Sequence, residues 1–284
     1  MATNLRRIPH ADILAAVFFW GAAILVSAVF LVMMGHVVLK GAGALSWQFL
    51  VTAPSNAGRS GGVAPILVST FLIVGTSLLT ALPLALGTSI YLAEFSSQHG
   101  RFGMLVRRSL DVLAGVPSIV FGLFGNVFFC KILGLGFSIL SGGLTLACMI
   151  LPLMIRTTEE SLRAVPEPVR LGAAALGVSR ASAVIHLLIP IALPGLAVGV
   201  ILGLGRAAAE TAALIFTSGY VDRMPGSVLD SGRALTVHIY DLAMNVPGGD
   251  GNAYGSALLL VGCLLIINLA VALLTRKWQL ERTL

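Results

Sequence analysis

Three observations predict an all-α, polytopic membrane protein with six transmembrane helices in a single domain over residues 1–284. Only 11% of the residues are charged and 57% are hydrophobic, whereas charged residues make up about a quarter of a soluble domain. Mean hydropathy is +0.97. The charges also bracket six uncharged runs, at 13–39, 60–93, 112–130, 132–155, 181–205 and 251–275. Each run is near or above the roughly 20 residues that a helix needs to cross the hydrocarbon core.

The first run follows Arg6-Arg7 and is 27 residues long, beyond the roughly 7–15 residues of a signal-peptide core, so a retained helix is expected. Residues 40–62, with Trp47, Phe49 and Pro54, form an external segment, and the second run closes on Tyr91-Leu-Ala-Glu-Phe95. Lys131 separates the third and fourth runs. A polar segment over 156–180 comes next, with Arg156-Thr-Thr-Glu-Glu160 followed by Pro166-Glu-Pro168. Proline at its start and Gly177 at its end punctuate a helix of about ten residues whose surface is mostly small. It is either a docking face for another protein or an amphipathic connector. The fifth run carries Gly195, Gly199 and Gly203 at four-residue intervals, a stripe that lets a second helix approach closely. Pro190 and Pro194 kink its start, as a static bend or as a hinge. The run at 211–221 is too short to cross and either dips into the membrane or lies at its surface. Residues 218–250, with Tyr220, Met224 and Tyr240, form the second external segment before the sixth run.

Six crossings put both termini on one side, together with 94–111 and 156–180. That side holds twelve lysines and arginines against six opposite, which predicts cytoplasmic termini in the inner membrane. The net charge of +6 therefore reads as topology, and nucleic-acid binding is excluded. Cys130, Cys148 and Cys263 lie in or beside apolar runs without metal-ligand spacing, and the five histidines are dispersed. The chain has no G-x-x-x-x-G-K-[ST], no H-E-x-x-H and no G-x-S-x-G, so neither a nucleotide site nor an enzyme is expected.

The stretch from Arg170 to Pro190 resembles the EAA motif of binding-protein-dependent ABC importers: E-A-A, three residues, G, nine residues, then I-x-L-P. The glutamate falls on Leu171, the alanines on Gly172 and Ala173, the glycine on Gly177, and the closing positions on Leu187, Ile189 and Pro190. The loop thus departs from the motif at its glutamate. Tyr91–Phe95, the stretch from Asp111 to Phe124, and Arg206-Ala-Ala-Ala-Glu-Thr-Ala-Ala-Leu-Ile-Phe-Thr217 resemble the permease subunits of phosphate ABC importers. His238-Ile-Tyr240 and Asn268-Leu favour the PstA type over its PstC partner.

The resemblance implies a type I importer permease that moves inorganic phosphate by alternating access and is not itself an enzyme. No cofactor is bound by this chain; ATP and Mg are expected on a homodimeric cytoplasmic ATPase. A second permease subunit of the PstC type and an external phosphate-binding protein complete the implied assembly. The coupling surface would comprise Arg170, Leu171, Gly172, Ala173, Ala174, Ala175, Leu176 and Gly177, with Glu160, Glu167, Arg163 and Arg170 supplying ion pairs in place of the missing glutamate. Arg206 and Glu210, one helical turn apart, are the expected substrate-pathway residues together with Thr211 and, at the cytoplasmic edge, Arg156. The guanidinium fork suits a tetrahedral oxyanion, and Glu210 would hold Arg206 while the path is empty. A structural ion pair at the outer interface is the other reading of that pair. A PstC-type subunit, a permease for another oxyanion and an ATP-independent transporter remain as alternatives.

Overall fold

The computed structural model describes residues 10–97 and 100–280; Arg6, Arg7 and Arg282 of the charge count lie outside them. Helix α1 (His10–Gly41) and the short α2 (Trp47–Val51) precede an antiparallel pair, β1 (Pro54–Ser55) and β2 (Ser60–Gly61). Then come α3 (Ala64–Ile90), α4 (Arg101–Ala114), α5 (Ser118–Gly125), α6 (Ile139–Arg163) and α7 (Glu167–Ala175). The chain continues through α8 (Arg180–Ala183), α9 (Ile189–Ala208), α10 (Ala212–Ile215), α11 (Leu235–Met244) and α12 (Asp250–Leu280). Wide π turns extend α3 over Tyr91–Phe95 and α5 over Asn126–Ile132, and a third, Val184–Leu188, joins α8 to α9.

The centre of the bundle is α6, whose Leu146, Ile150, Met154 and Ile155 are buried. Its neighbours reach it at glycines. A Cβ on Gly143 of α6 would stand 2.6 Å from Thr76 Cβ of α3, and one on Gly203 of α9 would stand 3.0 Å from Met154 Cγ. Gly199 faces Thr157 at 3.3 Å, and a Cβ on Gly195 would overlap Ser161. The glycine stripe of the fifth run is therefore a packing face for α6 of the same chain. The hydroxyls at this seam bond back to their own helix: Thr157 donates to Leu153 O (2.6 Å) and Ser161 to Thr157 O (2.6 Å).

Four runs become continuous spans close to the expected limits, over Leu14–Gly41, Ala64–Phe95, Arg180–Ala208 and Asp250–Leu273. The fourth run begins later than expected, at Ile139, after a loop in which Gly134 and Gly136 take φ of +68° and +61°. It also ends later, since α6 runs through the Arg-Thr-Thr-Glu-Glu segment to Arg163. The third run departs most. Instead of one span over 112–130, α4 and the apolar helix from Ser118 to Ile132 meet at an angle of 101°. The break falls at Gly115-Val116-Pro117, where Pro117 takes ψ 140° and disfavours helical geometry in the residue before it. The fifth run absorbs its prolines without breaking: Arg180–Ala208 remains one 29-residue span. A wide turn lies directly ahead of Pro190, which has no N–H to return to the preceding turn.

Residues 211–221 dip inward. α10 and the residues after it lodge between α5 and α6, with Gly122 against Ala213, Gly142 against Ser218, and Asn126 Nδ2 donating to Phe216 O at 2.8 Å. From Leu14 to Met33, α1 is apolar on every side and exposed, as lipid solvation requires. It is held to α12 near its C-terminal end, where Tyr254 OH and His36 Nε2 are 3.3 Å apart and Lys40 lies over the Tyr254 ring. Where the spans end, α2, the start of α3 and α11 form a cap around Phe49, Val63, Ile66 and Leu235. Within it, His238 is buried against Gly58, and burial, with Arg233 beside it, pushes its pKa down to about 4.

Replacing Gly195 by leucine is expected to destabilise the chain by about 1–3 kcal/mol, because a side chain there must displace Ser161. Gly205→Leu, where a Cβ meets open space, serves as the control. Equal melting temperatures for the two variants in detergent would refute the packing assignment.

Candidate functional site

At the α7 end of the bundle, the last carbonyls of α3 have no continuing helix to accept. Leu92 O takes two arginine donors, Arg107 Nη2 from α4 at 2.9 Å and Arg163 Nη2 from α6 at 2.7 Å. The Nε atoms of the same arginines converge on Glu159 Oε1, at 2.8 and 3.0 Å. Glu159 is only 3% exposed, so the two guanidiniums make its burial tolerable; removing one would strand charge in a dry site. Its other oxygen, Oε2, is buried without a partner among the described residues.

Arg170 of α7 grips the same corner. Its Nη2 donates to Glu94 Oε1 at 2.8 Å and to Leu162 O at 2.7 Å, and its Nη1 donates to Val165 O. Arg107, Arg163 and Arg170, drawn from α4, α6 and α7, thus close on the end of α3. Beyond Arg170, α7 stops where Gly177 takes φ +70° and Val178 N returns to Ala173 O at 3.0 Å, the glycine closure of a helix C-terminus.

These contacts sort the expected coupling residues into two faces. Arg170 and Ala173 turn inward, the latter buried. Leu171 (62% exposed) and Leu176 (83%) turn outward with Gly172, Ala174 and Ala175. Among the described residues, neither Glu160 nor Glu167 forms an ion pair; Glu94, from the Tyr-Leu-Ala-Glu-Phe stretch, takes that place. Arg163 does pair, with Glu159 rather than outside the chain.

The expected pathway residues do not come together. Arg156 donates to Asp111 Oδ1 and, at 3.3 Å, to Arg107 O. The antiparallel match of Gly199 with Thr157 and Gly203 with Met154 sets Arg156 about 10 Å along the bundle from Arg206, at about 1.5 Å per residue. Nor do Arg206 and Glu210 pair. α9 ends at Ala208, so the helical spacing that would align them lapses before Glu210. Glu210 instead turns forward: its Oε1 accepts from Ala213 N (3.1 Å) and its carbonyl accepts from Thr236 Oγ1 (2.6 Å). The Thr211 carbonyl accepts from Leu214 N and Ile215 N. Arg206 is left exposed and without a partner among the described residues, at the end of a stripe of half-exposed Ile191, Val198 and Leu202.

A cavity of about 390 Å³ lies between α3, α6 and α9, lined by Leu82, Leu86, Thr158, Leu193 and Val200. Its wall is almost wholly apolar, which makes it a poor host for an anion.

A helical bundle of apolar spans, with a short exposed helix keyed to one end and, where the fifth span closes, an arginine without a partner among the described residues, is the architecture of a membrane permease. Residues 84–279 match the family described as binding-protein-dependent transport system inner membrane component. The chain belongs to that family and is a multi-pass inner-membrane protein. It is 32% identical to the probable ABC transporter permease protein YqgI of Bacillus subtilis over 274 residues, 91% of this chain and 93% of that one. Identity to the phosphate transport system permease protein PstA of Haemophilus influenzae is 32% over 235 residues, 82% of each chain. PstA 1 of Mycobacterium tuberculosis (strain CDC 1551 / Oshkosh) is 35% identical over 217 residues, 76% of this chain and 71% of that one. The fold is shared with a bacterial ABC transporter involved in alginate import (TM-score 0.66, 13% identity, 95% and 99% covered) and with the MetNI methionine transporter (0.58, 19%, 76% and 94%).

A double-mutant cycle on Glu94→Gln and Arg170→Gln, read by thermal unfolding, is expected to return a coupling of about 1–3 kcal/mol, as for charge-assisted pairs in contact. Additive effects would show that the α7 tether is not energetic.

Proposed function

We propose that this chain is the PstA-type permease subunit of an ATP-driven importer of inorganic phosphate. The similarity to PstA proteins over most of the chain carries this reading. A second permease of the PstC type would complete the pathway, an external phosphate-binding protein would deliver cargo, and a homodimeric ATPase holding ATP and Mg would supply the work. The chain's own sequence holds no phosphate-loop motif, consistent with hydrolysis on that separate subunit.

In this reading the labour is divided between the two ends of the fifth span. On the cytoplasmic side, with both termini, the ATPase would dock on the outward face of α7, at Leu171, Gly172, Ala174, Ala175 and Leu176. Ala173 supports that face from behind. Displacement of α7 would pass through Arg170 to Glu94, and so to the ends of α3, α4 and α6. At the other end, Arg206 has its donors free for an oxyanion, and the clamp assigned to Glu210 falls away. In its place Glu210 shapes the turn that carries Thr211 past the end of α9. Arg156, held by Asp111, would meet phosphate only if that pair opened.

Two measurements test this reading. In proteoliposomes of the whole transporter, Arg206→Ala is expected to lower phosphate uptake by at least about tenfold, since the path then loses a fork of donors, with all subunits still co-purifying. Uptake at the wild-type rate would remove Arg206 from the path, and competition by sulfate or molybdate as strong as by phosphate would change the cargo. Ala174→Arg is expected to release the ATPase during purification; stoichiometric retention would place its docking surface elsewhere.

A further inference from the structure

Helix α4 has three faces where an ordinary surface helix has two. Gly103, Val106, Arg107 and Leu110 turn into the protein, with Gly103 against Ser96 and Arg107 in the Glu159 clasp. At about 100° per residue, Phe102, Leu105, Ser109 and Val112 follow one another along a separate stripe, with Leu113 beside it. This stripe is uncovered: Phe102 and Leu105 are each 62% exposed and Val112 is 71% exposed. Between the stripe and Asp111 lie Arg101 and Arg108, two turns apart, both exposed and without ion-pair partners among the described residues. Asp111 is already engaged by Arg156, so the charges of these two arginines are uncompensated.

The orientation of α4 gives the stripe its setting. The apolar helix after it packs along α6, with Gly125 against Thr145, and α4 turns away from that helix by 101°. It therefore lies across the end of the bundle, near the plane of the membrane, at the level of Arg156 to Arg163 on α6. A helix in that plane, with an apolar stripe edged by arginines, matches an interfacial helix: the stripe enters the acyl chains and the long side chains reach to the headgroups. A protein partner covering the same stripe would have to desolvate both guanidiniums at its margin, and charged residues are depleted from interface cores.

We propose that α4 is a lipid-reading helix, with Phe102, Leu105 and Val112 set among acyl chains and Arg101 and Arg108 bound to the phosphate groups of anionic phospholipids. Two cations along one edge of the helix favour phosphatidylglycerol over a zwitterionic lipid, because only the former brings net negative charge.

The test uses the purified full-length chain in nanodiscs of equal parts phosphatidylglycerol and phosphatidylcholine. The chain is extracted into mild detergent, and the retained lipid is weighed by native mass spectrometry. The wild type is expected to retain phosphatidylglycerol preferentially. Arg101→Gln with Arg108→Gln is expected to lower that preference about 25-fold, roughly fivefold for each surface arginine removed, while Arg59→Gln, beside the strand pair, leaves it unchanged. An unaltered preference in the double variant would overturn the proposal. In the whole transporter, purified in parallel, loss of the other subunits from the double variant would also overturn it, since a protein would then cover the stripe. The readout is retained lipid, so it stands or falls independently of the cargo.

Discussion

The bundle depends on close approach to α6. Inside a membrane the lipid is as apolar as any leucine, so helices gain little by hiding hydrophobic surface from one another and must gain by fitting. Here the fit is made by glycine: Gly143 toward α3, Gly195, Gly199 and Gly203 from α9, Gly125 from α5, and Gly142 toward the loop after α10. These contacts fix not only distance but rotation. With Ile155, Thr158 and Leu162 turned inward, Glu159 has no direction but the interior, and Arg156 is carried round toward Asp111.

The buried carboxylate that results has to be answered by charge. The end of α3 supplies the means, because its unsatisfied carbonyl and the carboxylate of Glu94 hold arginines in place from three other helices. The departure from the importer motif at Leu171 becomes intelligible in this light. An exposed leucine stands where the motif has glutamate, and the adjacent Arg170 reaches inward to an acidic residue far away in sequence. The charge at this corner serves the subunit's own integrity, leaving the outward face of α7 apolar and small.

Length and polarity were enough to read four spans, since a continuous uncharged run in lipid has few structures open to it. The third span eluded the same reading because counting from charge to charge passes over Gly115-Val116-Pro117, where backbone geometry and not polarity makes the break. The pairing of Glu159 with Arg107 was missed for a different reason: a contact across 52 positions leaves no trace in local spacing, whereas Arg163, which was expected to form an ion pair, lies only four residues from Glu159. Helical phase carried a usable signal, since Ile155, Thr158, Glu159 and Leu162 follow the i, i+3, i+4, i+7 rhythm of a single face, which separates Glu159 from the neighbouring Glu160. The expected pairing of Arg206 with Glu210 failed in the opposite way. Their spacing was sound for a helix, but the helix ended between them, and the carboxylate found a backbone N–H closer to hand.

The anchoring of Arg170 bears on the mechanics of α7. A helix attached only by its two connecting loops would swivel under load and dissipate a push as rotation about its own axis. With one side chain fastened to the ends of both α3 and α6, and with its far end locked by a left-handed glycine, α7 behaves as a stiff lever. A load applied at Leu176 would then arrive at two spans together as a single torque, limited by the rigidity of one guanidinium's grip.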